Sequence, residues 1–175
     1  MDTFSLELAN LLVGNDPGDA CLEATITGPE LEFTAATTVA ITGADMDPHL
    51  NGQGIPMNTP VDVKPGDRLG FGRLKSGCRS YIAFAEGLSV PPVMSSRSTY
   101  LRAGIGGFNG RALIQGDELP LGEPRGNPCL KRIPEGLIPE YKHEQTIRVI
   151  SGPEAHYFEM AGLRSFLSAD YTVTA

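Results

Sequence analysis

Apolar and polar positions in this chain follow two different periods. In residues 3–13, TFSLELANLLV, Phe4, Leu8, Leu11 and Leu12 recur at helical spacing and predict one amphipathic helix. Asp2 or Thr3 stands where a cap is needed, Gly14 offers a left-handed stop, and the helix is expected to cover an open end of a sheet. From Cys21 the period shortens. The β-type runs CLEATIT, ELEFT and TVAIT are separated by turn signals, and in HLNGQGIP the pair Asn51-Gly52 suits a two-residue hairpin. Lys64-Pro65-Gly66-Asp67 puts Pro and Gly at the two central positions of a turn before DRLGFGRL. The run CRSYIAFAE, 78–86, is apolar almost without a break, as in a strand buried on both faces.

Short strands with no strand-helix-strand alternation predict a mainly β fold, a barrel or sandwich with a few short helices. Residues 122–143 contain Pro124, Pro128, Pro134 and Pro139 and read as an extended linker. They divide a first β unit, 1–143, from 144–175. In that second stretch EQTIRVIS predicts a strand, Gly152-Pro153 opens a helix running through Leu167, and YTVTA begins another strand, so 144–175 reads as the start of a second, truncated β subdomain.

Composition narrows the classes. With 21 Gly and 14 Pro among 175 residues, one in five punctuates the backbone, which excludes a helical bundle, while 41% hydrophobic residues are enough for a packed core. A net charge of -7 argues against nucleic acid and acidic membrane surfaces as partners. No apolar stretch has the length of a spanning helix and the first residues lack a basic leader, so a cytoplasmic location is expected. Cys21, Cys78 and Cys129 are odd in number and widely spaced, which predicts reduced, buried thiols rather than disulfides or zinc ligands.

The chemistry concentrates in 87–115, GLSVPPVMSSRSTYLRAGIGGFNGRALIQ. This stretch contains no acid, although 21 of the 175 residues are Asp or Glu. Arg97, Arg102 and Arg111 share it with five glycines and five Ser or Thr residues, a supply of guanidinium forks, hydroxyls and accessible N–H groups that suits a phosphate, carboxylate or carbonate. The alternative is a glycine-rich connection whose arginines pair with acids elsewhere. Familiar phosphate motifs do not account for it: Gly104, Gly106, Gly107 and Gly110 give GxGGxxG outside any strand-turn-helix unit, and after Gly72 and Gly77 a P-loop's Lys and Ser/Thr are replaced by Cys78 and Arg79. His49, His143 and His156 lack partners at ligand spacing, Asp45 and Asp47 read as turn residues, and no metal site is expected.

Longer strings carry a resemblance. ANLLVGND at 9–16, ITGAD at 41–45, LNGQGIPMNTPVDVKPGDRLGFG at 50–72 and GCRSYIAFAEGLSVPPVMSSRSTYLRAGIGGFNGRALIQGDELPLG at 77–122 resemble the biotin-dependent carboxyltransferase family. That family includes the C-type component of bacterial 5-oxoprolinase, also named allophanate hydrolase subunit 2, and part of the carboxyltransferase region of urea carboxylase. The likeness covers essentially the whole chain and implies a cyclophilin-like β-barrel. The family pattern begins earlier and continues past Ala175, so the chain reads as a fragment lacking an N-terminal segment. Glu86 and Ser95 stand where the family is expected to have Gly.

The resemblance further implies ATP-coupled opening of 5-oxoproline with A- and B-type partner subunits, or carboxyl transfer from carboxybiotin to a small amide or lactam. On that reading Arg97 and Arg111 clamp an anion with Arg102 nearby, Ser96, Ser98 and Thr99 donate hydroxyl hydrogen bonds, and Gly106 and Gly107 bring backbone N–H groups close. No catalytic residue is singled out. The chain has no biotin-accepting Met-Lys-Met and no nucleotide motif, so ATP or carboxylated biotin would come from another chain or domain. The competing reading is a non-catalytic regulatory module that pairs with a B-type subunit as antagonist of a histidine-kinase inhibitor.

Overall fold

The computed structural model describes residues 1–123, 133–140, 142 and 144–172; Cys129, His143 and the last three residues of YTVTA lie outside them, as does part of the proline-rich stretch. Two compact units are present, Met1–Lys142 and His143–Ala175.

The first unit opens with helix α1, Thr3–Leu12. Eight strands follow: β1 Leu22–Thr25, β2 Leu31–Glu32, β3 Thr37–Asp45, β4 Pro48–Leu50, β5 Gln53–Gly54, β6 Val61–Val63, β7 Arg68–Phe71 and β8 Ser76–Phe84. They form two four-stranded antiparallel sheets, ordered β1-β8-β3-β6 and β2-β7-β4-β5. The expected barrel thus takes the form of two facing sheets rather than a closed ring. Closing a ring requires edge strands to exchange ladder bonds, and edge strands β2 and β5 are only two residues long.

One core joins the sheets. Val39, Ile41, Ile82 and Phe84 from the first sheet pack with Leu69 of the second, and Leu31, Leu50 and Phe71 border them. Side chains alternate across a strand, so the intervening residues must find cover on the outer face. There Ala40, Tyr81 and Ala83 meet Leu8, Ala9, Leu12 and Val13 of the α1 region. This explains the unbroken apolar run in β8, which lies between β1 and β3 and is buried on both sides.

Helix α1 therefore covers a sheet face, not an open end. Its buried stripe includes Ser5, Leu8, Ala9 and Leu12, whereas Phe4 is 45% exposed. The small Ser5 lets the helix approach β3 closely enough for Thr42 Oγ1 to donate to the Ser5 carbonyl at 2.6 Å. Asp2 caps the helix by accepting the Ser5 N–H at 3.1 Å. The ANLLVGND string has a structural role as well. Asn10 Nδ2 donates to the carbonyls of Pro17 and Asp19, and Asn15 Nδ2 donates to Asn10 Oδ1 and to the Phe84 carbonyl at the end of β8.

The local turns form where expected: Asn51 and Gly52 have φ of 53° and 79° between paired Leu50 and Gln53, and Asp67 N–H closes on the Lys64 carbonyl at 3.0 Å. Two expectations fail. Cys78 is exposed, while burial pushes the partly buried Cys21 thiol up to about 12. In the second unit, residues 145–150 form no strand, and Ile147 and Ile150 are 80% and 96% exposed. No strand among the described residues pairs with them, and a lone extended segment lacks the ladder that stabilises a strand. That unit instead holds a short 3-10 turn, Ala155–Tyr157, and helix α2, Met160–Ser168, where Tyr171 packs on Phe166 at 5.4 Å between ring centroids. Among the described residues no helix is long and apolar enough to cross a membrane.

Candidate anion-binding site

Past β8 the chain leaves the sheet in a long excursion pinned at its neck. Gly87 N–H donates to the Phe84 carbonyl, Leu88 bridges Leu121, Ser89 N–H donates to the Pro120 carbonyl at 2.8 Å, and Gly122 N–H returns to the Gly87 carbonyl at 2.9 Å. Glu86, at φ 72°, starts the departure, and Ser95, at φ 63°, sits inside the first turn. Both residues that stand where Gly was expected therefore occupy left-handed backbone, which Gly adopts without steric cost.

Two tight turns build the excursion. Val93 and Ser96 exchange N–H···O bonds of 2.8 and 3.0 Å, and Tyr100 and Ile105 exchange bonds of 2.8 and 3.4 Å. The glycine cluster then folds back on the turns. A Cβ on Gly107 would lie 1.9 Å from Thr99 Oγ1, and one on Gly110 would lie 2.0 Å from the Gly104 carbonyl oxygen, so these positions accept only Gly without displacing the loop. Gly110 N–H closes the cluster on the Gly106 carbonyl at 2.9 Å.

The result is a groove of about 530 Å³ lined by Ser89, Val90, Pro91, Val93 and residues 104–110. Its wall is apolar on the Val90–Val93 side. The N–H groups of Gly106, Gly107, Phe108 and Asn109, residues that also line it, have no protein acceptor among the described residues. Consecutive unpaired donors on a loop rich in left-handed residues, here Gly104, Gly106, Gly107, Asn109 and Gly110, suit an anion or a polarised carbonyl oxygen.

Apart from Arg111, the expected site residues divide into three groups. Gly106 and Gly107 line the groove. Arg97 and Arg102 are exposed, form no ion pair among the described residues, and sit just after the Val93–Ser96 turn and within the Tyr100–Ile105 turn. Ser96 Oγ accepts the Ser98 N–H at 3.2 Å, and Thr99 packs against Gly107, so these hydroxyl residues shape the loop.

Arg111 departs from the expected clamp. Its two terminal nitrogens each donate to an Asp117 carboxylate oxygen at 2.7 Å, Nη1 also donates to the Ala112 carbonyl, and the guanidinium lies 5.7 Å from the Phe108 ring centroid. Asp117 is held down to about 2 by Arg111 and by the Ile114 N–H. Arg111 is thus committed to fastening the end of the glycine cluster. Asp117 was not legible as a site residue; the only hint was its place as the first acid after the acid-free stretch.

The remaining candidates are structural. Asp45 Oδ1 accepts the Asp47 N–H in a turn, Asp47 pairs with Lys75, and His49 stands 3.7 Å from Asp47. His156 Nδ1 lies 3.1 Å from the Pro153 carbonyl oxygen. No group of three or more His, Cys, Asp or Glu residues able to hold a metal occurs among the described residues.

Comparison with known proteins places this mainly β pair of sheets among carboxyltransferase domains. The family described as carboxyltransferase domain, subdomain A and B, matches residues 1–175, and the chain belongs to it. It is 40% identical over 181 residues to urea amidolyase of Saccharomyces cerevisiae, covering 99% of this chain and 10% of that protein. It is 36% identical over 175 residues to the C-type component of 5-oxoprolinase from Escherichia coli, covering all of this chain and 55% of that one. The crystal structure of Kluyveromyces lactis urea carboxylase matches with a TM-score of 0.74 and 37% identity over 81% of this chain and 13% of that chain. The chain thus spans about half the length of the bacterial relative and a tenth of the yeast protein.

Proposed function

We propose that this chain works as part of an ATP-dependent 5-oxoproline-hydrolysing complex, or of a related biotin-dependent carboxyltransferase, and binds the carboxyl or carbonyl oxygens of a small amide or lactam. The observation that carries this reading is the groove at 104–110, where four backbone N–H groups are unpaired among the described residues. Such donors gain most from an oxygen on which negative charge develops, because they are already oriented when the charge appears. Arg97 and Arg102 add positive charge on the neighbouring turns and draw the anion toward the groove.

ATP does not fit the described residues in the usual way, since α2 follows no glycine-rich loop that could cradle its phosphates. The nucleotide is therefore assigned to A- or B-type subunits, with assembly in the cytoplasm. Carboxybiotin fits better: the apolar wall of Val90, Pro91 and Val93 suits its ring, the donors of 106–109 suit its oxygens, and when bound it supplies a transferable carboxyl group.

The test is reconstitution of the complete protein with its A- and B-type partners, followed by ATP-dependent loss of 5-oxoproline. Arg97→Ala with Arg102→Ala is expected to lower kcat/KM by roughly tenfold to a hundredfold, as for losing charge-assisted hydrogen bonds. Unchanged kinetics overturn the assignment of both arginines.

A second reading, a regulatory module that pairs with a B-type subunit without turnover, draws on a different observation. Met94, Leu101 and Ile114 are 90%, 63% and 64% exposed on the same excursion. Stable pairing with a B-type subunit, together with no 5-oxoproline turnover in the full set, would decide for it.

A further inference from the structure

The chain contains two Asn-Gly pairs, and the structure treats them differently. Asn51 is locked: its Nδ2 donates to Asp67 Oδ1 at 2.8 Å and its Oδ1 accepts the Arg68 N–H at 2.8 Å. Asn109 is exposed, takes left-handed backbone at φ 57°, and its side chain makes no hydrogen bond among the described residues. Gly110 follows, buried but with no side chain of its own to hinder its nitrogen once the loop opens, and Asn109 lines the donor groove.

We propose that Asn109 is a self-modification site whose conversion to a carboxylate shuts the anion groove. The Gly110 nitrogen attacks the Asn109 side-chain carbonyl carbon after its proton passes to water. The new C–N bond closes a five-membered imide and the side-chain nitrogen leaves as ammonia. Water then opens the imide at either carbonyl, leaving aspartate or isoaspartate. One water is consumed and one ammonia released, and no oxidant or catalyst is needed. The Gly110 N–H bond to the Gly106 carbonyl must first open, which sets the rate by local loop opening rather than by global unfolding.

The location gives the reaction its consequence. Residues 87–115 contain no Asp or Glu, so the product would be the first negative charge on the segment, placed on the loop that lines the groove and carries the unpaired N–H groups. The isoaspartate form also inserts a methylene into the backbone and displaces the donor row. This consequence rests on the anion reading of the groove; the modification itself does not.

The experiment incubates the full chain at mildly alkaline pH and follows both asparagines by peptide mass mapping, with a urea-unfolded sample as reference. Asn109 is expected to convert several-fold faster than Asn51 in the folded chain, and the two are expected to converge when it is unfolded. Asn51 converting as fast as Asn109 in the folded chain, or Asn109 staying intact while the unfolded reference converts, overturns the modification. Titration with 5-oxoproline reads the consequence: Asn109→Asp is expected to bind about tenfold more weakly than Asn109→Gln, the effect of one like charge near the ligand. Equal binding by the two variants overturns the shut-off. If the unmodified chain does not bind 5-oxoproline at all, the anion reading and the shut-off fall together, and the mass map still decides the modification.

Discussion

From Ser80 to Phe84 five consecutive residues are buried, whereas between Ser89 and Leu121 only Gly110 is. The β unit is held by apolar burial against two neighbours: the facing sheet on one side and α1 on the other. The excursion is held by turn hydrogen bonds, close backbone contacts at glycine and one ion pair. A region of the first kind is stable and offers few free polar groups. One of the second kind keeps donors unpaired and so can serve a ligand, but with little burial to resist opening.

Substitutions should separate the two regions. The largest effect is expected from Ile82→Ala in β8, at about 2–5 kcal/mol of unfolding free energy for a fully buried aliphatic side chain, read from the denaturant midpoint. Next, Asn15→Ala removes the donor shared by Asn10 and the Phe84 carbonyl and is expected to cost about 1–3 kcal/mol in the same assay. A loss as small as that of an exposed residue would show that the neck does not depend on this network.

Gly107→Ala reverses the pattern. The new methyl would collide with Thr99, so binding of 5-oxoproline is expected to disappear while the denaturant midpoint of the β unit stays within about 0.5 kcal/mol of the original. A matching fall in both would mean the excursion and the sheets unfold as one.

The Asp117–Arg111 pair gives a pH test. Asp117 titrates below its ordinary range in the folded chain, so its contribution is fully present above about pH 4 and is lost as pH falls through about 2. The Arg111 side-chain NMR signals should change over that window in the original chain and not in Asp117→Asn. The smallest effect is expected at the left-handed non-glycine positions: Glu86→Gly and Ser95→Gly should each raise stability by about 1 kcal/mol or less, because relief of the backbone is partly offset by a freer unfolded chain. A loss of more than that would show that the Glu86 or Ser95 side chain supports the fold.

Much of the candidate site could be read from residue types alone. The absence of acids from 87–115 located the excursion, and the glycine spacing located its close contacts. The pairing of Arg111 could not be read, because Asp117 lies outside that stretch and only the returning chain brings the two together. Nor could the shape of the groove. Val90 and Phe108 look like ordinary apolar residues until the folded excursion brings both to the lining of one groove.

Local geometry followed from residue order alone. Asn51-Gly52 and Pro65-Gly66 dictate their turns because the allowed φ and ψ of those residues leave few alternatives, and the apolar run of β8 dictates a central strand because nothing else buries both faces. Long-range packing chose which stripe of α1 is buried, left residues 145–150 outside any strand, and kept the charge of Arg97 and Arg102 available while committing that of Arg111. Each of these outcomes depends on groups brought together from distant positions, where desolvation and geometry choose between partners that local pattern leaves equivalent.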